Sequence, residues 1–442
     1  MSISEQRRRE VIDALRRGTV PQHGLDVLAV GLSRFETATG EELDRISAGQ
    51  AVFKAVRGEY GAGKTFFSRW LADNAKRNGL AATEVQISEN ETPLHRLETV
   101  YRRLTEHLST AEFTPSALRP VVDSWFFALE EDVLAEGSVP EEELEGRVTE
   151  LLEERLSIVS RVAPSFAAAL RAYRRASVAG DSAVAEGLLA WLGGQPHVGA
   201  SVKRSAGIRG DLDHDGALGF LQGLLAVLRD SGHTGLLVVL DEVETLQRVR
   251  ADVRDKALNA LRQLVDDVDS GRFPGLMLVI TGTPAFFDGP QGMQRLAPLA
   301  QRLHVDFSTD ATFDNPRAVQ VRLPGFDKDS LLELGTKVRD LYAQGSPHRE
   351  RLASAVDDAY LADLAQTVTG HFGQKVGVAP RIFVKKLVDV MDRVDQHATF
   401  DPRRDYALRV SASELTDAER AMMPTPPPLV PAASVDDIDL DL

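Results

Sequence analysis

The sequence of 442 residues contains no cysteine. This absence excludes disulfides, iron–sulfur clusters and zinc sites that depend on thiolates, and it excludes a cysteine nucleophile. Long apolar runs are also missing, since none approaches the roughly 18 residues that a membrane-spanning helix needs. The N-terminus places Arg7–Arg9 before scattered apolar residues and lacks the apolar core of a signal peptide. We therefore expect a cytoplasmic protein with no membrane association.

An excess of positive charge is missing too, because the formal net charge is −15 at pH 7. This charge argues against a surface coated for nucleic acid. It leaves room for a local basic patch, since the field near a surface depends on how the charges are arranged. The composition, with 43% hydrophobic and 26% charged residues, is that of a globular protein. A chain of this length can form two or three domains with their own cores.

The most informative segment runs from Gly58 to Thr65 and reads Gly-Glu-Tyr-Gly-Ala-Gly-Lys-Thr. It matches the phosphate-binding pattern G-x-x-x-x-G-K-[ST] at every fixed position. The apolar residues 51–56 before it predict a strand, and the periodicity of residues 66–78 after it predicts an amphipathic helix. A strand, a glycine loop and a helix in this order bind polyphosphate, because backbone N–H groups and the helix N-terminus face the anion. An ordinary glycine-rich turn is the alternative.

The last two residues of this loop have predicted tasks. The ammonium group of Lys64 would neutralise the β- and γ-phosphates, and the hydroxyl of Thr65 would hold Mg²⁺. The other residues would approach the phosphates through their backbone. The predicted nucleotide-binding residues of the loop are Gly58, Glu59, Tyr60, Gly61, Ala62, Gly63, Lys64, Thr65 and Phe66.

Two carboxylates follow the apolar run at 236–240, which predicts a strand buried on both faces. Open α/β sheets bind ligands at the carboxyl ends of their strands. We therefore expect Asp241 to hold Mg²⁺ and Glu242 to act as the base that polarises water for attack on the γ-phosphate. A solvated turn is the alternative for this pair. The Asn-Lys-x-Asp motif that reads guanine does not occur in the sequence, so the expected nucleotide is ATP.

Three more residues are candidates for contacts with the γ-phosphate. Thr281 directly follows the predicted strand at 276–280 and is the first choice for this contact. Thr283 is the second choice, and a simple turn is the alternative. Arg302 precedes a strand-like run at 303–307 and is expected to reach the nucleotide of a neighbouring subunit; a surface salt bridge is the alternative. Arg381, at the start of a later helix, is expected to reach the phosphates of its own subunit.

Periodicity and turn residues divide the chain into segments. The expected order is an N-terminal helical segment, a core with a helical insertion, a helical lid, a short C-terminal region and a disordered acidic tail. Their expected bounds are 1–49 for the first segment, 50–325 for the core, about 93–216 for its insertion, 326–395 for the lid, 396–423 for the C-terminal region and 424–442 for the tail.

The order of these motifs resembles that of AAA+ ATPases in the origin-recognition and STAND group. The opening helix, the break at 18–21, the loop and the Leu-Asp-Glu-Val-Glu run at 240–244 resemble the ATP-binding proteins of BREX phage-defence systems, over roughly residues 5–395. The implied fold is α/β: the parallel sheet of a P-loop NTPase of AAA+/ASCE type, with a helical insertion and a small C-terminal helical lid domain.

The resemblance implies an ATPase that acts as a switch or motor in a DNA-transaction or phage-defence complex, with ATP and Mg²⁺ as cofactors. It also implies protein partners, a homo-oligomer and contact with DNA, and it suggests that Val20 and Pro21 pack on the adenine. Two alternatives stay open. One is a phosphotransferase acting on a small substrate, and the other is a nucleotide-dependent scaffold with little turnover.

Overall fold

The computed structural model describes residues 3–135, 140–371 and 379–410 of the chain. These residues form two compact units. The first consists of residues 3–11 and 20–325, and the second of residues 12–19 and 326–410. The predicted acidic tail lies outside the described residues, as does the predicted C-terminal region beyond residue 410.

One parallel sheet organises the first unit. Its strands are β1 (Val52–Arg57), β2 (Ala81–Gln86), β3 (Leu236–Asp241), β4 (Leu276–Gly282) and β5 (Gln320–Arg322). They lie in the order β2-β3-β4-β1-β5, and all neighbours are parallel. Because β4 lies between β1 and β3, Gly58, Asp241 and Thr281 reach the same edge of the sheet. The predicted α/β fold class with a parallel sheet is confirmed.

β3 and β4 are buried at every position, as their continuous apolar runs predict, and β1 is buried throughout although it contains Lys54 and Arg57. Successive side chains of β3 enter two different cores, one on each face of the sheet. Val238 and Leu240 belong to the core that includes the helical segment between β2 and β3. Leu237 and Val239 belong to the core that includes the helix after the glycine loop. Helices therefore cover the sheet on both faces.

The run at 303–307 forms no strand, so the strand-like interpretation of it is wrong. The edge strand is β5, which pairs with β1. Leu303 is buried in the core, and its carbonyl accepts a hydrogen bond from the side chain of Gln320 at 2.8 Å. The ring of Phe307 lies 4.7 Å from the guanidinium carbon of Arg57. Leu303 and Phe307 therefore make separate contacts with the core and with Arg57, and the alternation of apolar residues in this run does not reflect a strand.

Most of the described helices precede β5 in the chain. None of the described helices of the chain is both long enough and apolar enough to cross a bilayer. Those before β5 are α1 (Glu5–Arg17), α2 (Ser33–Ser47), α3 (Lys64–Arg77), α4 (Leu97–Glu106), α5 (Leu118–Ala135), α6 (Glu141–Val162), α7 (Pro164–Val178), α8 (Ser182–Leu192), α9 (Ala200–Ser205), α10 (His214–Asp230), α11 (Ala251–Asp269), α12 (Pro284–Asp288) and α13 (Ala297–Arg302). Short 3₁₀ helices lie at Leu25–Val27, Val243–Gln247, Met293–Arg295 and Ala311–Phe313.

The chain between β2 and β3 contains α4 to α10 and, within its described residues, no strand. The predicted helical insertion is therefore confirmed. Phe220 of α10 lies at its centre, with the rings of Tyr101, Phe166 and Trp191 at centroid distances of 5.7, 5.1 and 5.1 Å. Edge-to-face contacts of this kind add to the free energy of simple area burial.

The second unit is helical in its described residues. The helices Arg349–Ala355 and Asp358–His371 are separate, because Asp357 lies between them and accepts the N–H of Tyr360 at 2.8 Å as a cap. The end of α1 joins this unit through Arg16, whose guanidinium donates to both carboxylate oxygens of Asp392 at 2.7 and 2.8 Å. Its other helices are α14 (Lys328–Ala343), α15 (Arg349–Ala355), α16 (Asp358–His371), α17 (Ala379–Gln396) and α18 (Pro402–Asp405).

Two glycines inside helices give a matched test of the insertion's packing. A methyl group at Gly223 of α10 would lie 2.6 Å from the buried ring of Phe166, whereas the same position at Gly40 of α2 is open. We expect Gly223→Ala to lower the free energy of unfolding by about 1–3 kcal/mol, because overpacking outweighs the gain in helix propensity. Gly40→Ala should be neutral or stabilising. Denaturant titration measures both variants, and equal effects would contradict the close contact of α7 with α10.

Candidate functional site

The glycine loop after β1 turns its backbone inward at two positions. Gly61 and Gly63 have φ values of 78° and 90°, in the left-handed region that a residue without a Cβ adopts at little cost. α3 then begins at Lys64. Phe66 lies in its first turn and packs against the core that α3 covers. The loop N–H groups and the free N–H groups of the helix therefore form a concave site suited to phosphate.

Lys64 is buried beneath this loop. Its ammonium group donates to the carbonyls of Gly58 at 2.9 Å and Glu59 at 3.3 Å. The same nitrogen lies 3.6 Å from a carboxylate oxygen of Glu244 and 5.1 Å from the ring centroid of Tyr60. The cation predicted to bind phosphate is thus present at the loop, and oxygen atoms of the chain itself surround it.

Asp241 brings three elements of the fold together. The hydroxyl of Thr65 on α3 donates to one carboxylate oxygen at 3.2 Å, and the hydroxyl of Thr281 on β4 donates to the other. The backbone N–H of Glu242 also donates to Asp241, at 3.1 Å, and to the hydroxyl of Thr281, at 3.2 Å. The structure therefore brings together four residues that the sequence predicts for one site, although they come from separate parts of the chain.

A hydroxyl and a carboxylate this close fit a bound Mg²⁺. This ion is usually held by one or two protein oxygens, with water and substrate phosphates as its other ligands. The described residues contain no group of three or more acidic, histidine or cysteine side chains that could hold a metal by themselves. Thr65 and Asp241 would accordingly be the protein's contribution to an ion that arrives with the nucleotide.

Glu242 has φ and ψ of 60° and 43°, which is uncommon for a residue with a side chain. Its carboxylate is half-buried and accepts a hydrogen bond from the side-chain amide of Gln86 at 2.9 Å. Gln86 is a site residue that the sequence analysis missed. It ends β2 and pairs in register with Asp241, so only the strand order reveals its place beside the predicted base.

Glu244 is the second residue that sequence reasoning missed. Its side chain is buried, and neither carboxylate oxygen has a hydrogen-bond partner among the described residues, although one oxygen lies near the Lys64 ammonium. Burial raises the pKa of Glu244, while the charge of Lys64 acts in the opposite direction. The one signal in the sequence was a third acid in the run Asp-Glu-Val-Glu.

The two arginine candidates belong to other helices. Arg302 ends α13, and its guanidinium forms an ion pair with Asp266 of α11 at 2.8 Å. This is the salt bridge that the sequence analysis kept as an alternative. Arg381 lies in α17 of the second unit, so its contact with phosphate stays a prediction.

The remaining candidates belong to the first unit. Thr283 is buried and precedes α12 as its cap residue, but its side chain accepts no capping hydrogen bond. The carbonyl of Val20 accepts from the guanidinium of Arg69 on α3 at 2.6 Å, and Pro21 is buried. The segment predicted to contact adenine is thereby tied to the helix that starts in the glycine loop.

The family model of the BREX system ATP-binding protein BrxC/D matches residues 3–410. The chain belongs to this family. The predicted resemblance is thereby confirmed, and ATP is the nucleotide that the family binds. Among solved structures, the chain is similar to the ORC1 protein of Aeropyrum pernix, whose structure was determined in complex with DNA. The identity is 12%, the TM-score is 0.32, and the alignment covers 89% of this chain and 65% of that chain, less than two thirds. No curated protein matches.

The burial of Glu244 gives a pH-dependent prediction for this family member. The pKa of its carboxyl is raised by folding, so its contribution favours the folded state at low pH and is lost as the pH rises through the raised value. Glu244→Gln has no charge to desolvate. In the absence of nucleotide, we expect this variant to melt at a higher temperature than wild type at pH 8, with a difference that shrinks at pH 5.

Glu242→Gln is the matched control, since its side chain is half-buried and has a hydrogen-bond donor in Gln86. It should show little change in melting temperature. If Glu244→Gln melts below wild type at pH 8, the attraction to Lys64 outweighs the cost of burial.

Proposed function

We propose that this BREX-family protein is a Mg²⁺-dependent ATPase that works as a switch or motor in a phage-defence or DNA-transaction complex. The observation that supports hydrolysis best is the double hydrogen bond to Asp241 from Thr65 and Thr281. It joins the phosphate loop, the metal-binding carboxylate and a hydroxyl near the γ-phosphate in one cluster. Glu242 follows directly in the chain, and its carboxylate is the proposed acceptor of a proton from water.

The residues have distinct tasks in this reaction. The phosphates of ATP replace the carbonyls of Gly58 and Glu59 as partners of Lys64. Mg²⁺, held by Thr65 and Asp241, would neutralise charge on the phosphates. Glu242 takes a proton from water as the water oxygen bonds to the γ-phosphorus and the bond to the β,γ-bridging oxygen breaks, leaving ADP and phosphate.

Two other functions use the same loop. A phosphotransferase would need a small acceptor beside the γ-phosphate, and a scaffold would bind ATP with little turnover. The presence of Glu242 next to Asp241 supports hydrolysis over a scaffold, because its carboxylate could accept a proton from water. The large helical insertion and the helical second unit support an ATPase over a phosphotransferase. Release of phosphate in the absence of any acceptor distinguishes hydrolysis from phosphotransfer.

The partners proposed for the protein are other members of a defence complex, further copies of the same chain and DNA. The negative net charge restricts DNA contact to a local basic surface, if the contact is direct. Location in the cytoplasm is part of the same proposal. Stimulation of phosphate release by duplex DNA, compared with an equal concentration of another polyanion such as heparin, tests the DNA contact.

Two substitutions test the ATPase. We expect Lys64→Ala to abolish ATP binding, because it removes the ammonium group that lies within the loop. Glu242→Gln should bind ATP as wild type does and turn over at least about a hundredfold more slowly, since it loses the base and keeps the shape. Calorimetry measures binding and phosphate release measures turnover. Near-normal ATP affinity in Lys64→Ala would refute the assignment of the site.

Arg302 gives a test of the oligomer. We propose that it leaves Asp266 and acts on the nucleotide of a neighbouring subunit, where an arginine is worth about 10³-fold or more in rate. Arg302→Ala should then bind ATP normally and hydrolyse it poorly. Mixing it with Lys64→Ala subunits should restore part of the activity, because the intact loop of one then receives the arginine of the other.

Arg295→Ala is the matched control for Arg302→Ala. Arg295 also forms an ion pair with an aspartate of α11, Asp255, at 3.0 Å. Equal, small effects of the two substitutions, with a turnover per subunit that does not rise with protein concentration, would show that Arg302 is a surface residue.

A further inference from the structure

Arg248 lies beside the phosphate loop, in contact with Tyr60. It follows the 3₁₀ helix Val243–Gln247, which begins directly after Glu242. Its guanidinium donates to the hydroxyl of Tyr60 at 3.3 Å. The side chain is exposed and, among the described residues, forms no ion pair. A permanent cation is therefore held at the loop by a single neutral hydrogen bond.

The neighbouring arginines differ from Arg248 in this respect. Arg57 immediately precedes the loop, but its guanidinium is paired with Asp288 and donates to Gln320 at 3.0 Å. Arg250, two residues after Arg248, pairs with Asp252 at 3.2 Å. Both of these guanidinium groups would have to give up a carboxylate in order to bind a ligand. Arg248 would not, and most of its donors are available for a ligand.

The position of Tyr60 relates Arg248 to the phosphates. Tyr60 is the third residue of the loop, directly before Gly61 and Gly63, which both have positive φ values. Its ring lies 5.1 Å from the ammonium of Lys64, and its hydroxyl contacts Arg248. One side chain thus links the cation beneath the loop with a cation at its rim. Because Lys64 is expected to bind the β- and γ-phosphates, a terminal phosphate beside Lys64 would lie near Tyr60 and Arg248.

We propose that Arg248 binds the γ-phosphate of ATP in its own subunit, with Tyr60 as the residue that positions it. This inference rests on the proposed ATPase function and adds a residue to it. A planar guanidinium can donate two hydrogen bonds to phosphate oxygens and can offset the negative charge that develops on them during transfer. ADP has no γ-phosphate, so this contact distinguishes the two nucleotides.

The test compares affinities for ADP and for a non-hydrolysable ATP analogue, AMP-PNP, by calorimetry with Mg²⁺. Arg248→Ala should weaken AMP-PNP binding about tenfold and leave ADP binding unchanged, and its turnover should fall about a hundredfold. Arg248→Lys should recover part of the turnover, because it keeps the charge and loses the planar fork. Tyr60→Phe should lower turnover less than Arg248→Ala, since the ring remains.

Arg250→Ala is the matched control and should behave as wild type in all three measurements. Equal ratios of ADP to AMP-PNP affinity in wild type and Arg248→Ala, with equal turnover, would overturn the inference while leaving the ATPase intact. Failure of wild type to bind either nucleotide would instead refute the proposed function. The melting temperature of Arg248→Ala should match wild type because the side chain is exposed, which separates a lost contact from a folding defect.

Discussion

The site depends on the hydrogen bonds that converge on the buried carboxylate of Asp241. A buried carboxylate is stable only when donors compensate for the lost water, and here they come from α3, β4 and the following peptide. Each donor fixes a different element. Thr65 sets the start of α3, Thr281 sets the end of β4, and the N–H of Glu242 sets the turn after β3. The carboxylate of Asp241 therefore holds the phosphate loop, the proposed metal-binding position and the proposed base in a fixed arrangement.

Charge balance explains the arrangement around Lys64. The Lys64 ammonium lies 3.6 Å from the buried carboxylate of Glu244, and Asp241 and Glu242 add negative charge near that carboxylate. In the proposed function, Mg²⁺ and the arginine proposed at the rim would offset this charge when a polyanion enters. Lys64 is buried and donates to two carbonyls of its own loop, which compensate for its lost water. In the proposed function, phosphate oxygens would take the place of these carbonyls.

Local patterns in the sequence predicted the parts of the site that single segments form. The glycine loop, the acidic pair at 241–242 and Thr281 at the end of a strand are each visible within a few residues, and the structure brings them together. Gln86 could not be found in this way, because its partner is fixed by the pairing of β2 with β3. β5 was missed because it has three residues, too few for an alternation to be recognised.

The strand order also accounts for how a long insertion is accommodated next to the site. β2 and β3 pair in register along six residues although the whole insertion separates them in the chain. The entropic cost of closing a connection grows only slowly with its length, and the aromatic rings around Phe220 pack within the core that the insertion shares with one face of the sheet. Gln86 is the last residue before the chain leaves the sheet for this insertion, and its amide holds the carboxylate of Glu242. The hydrogen bond from Gln86 therefore links the proposed base to β2, the strand from which the insertion begins.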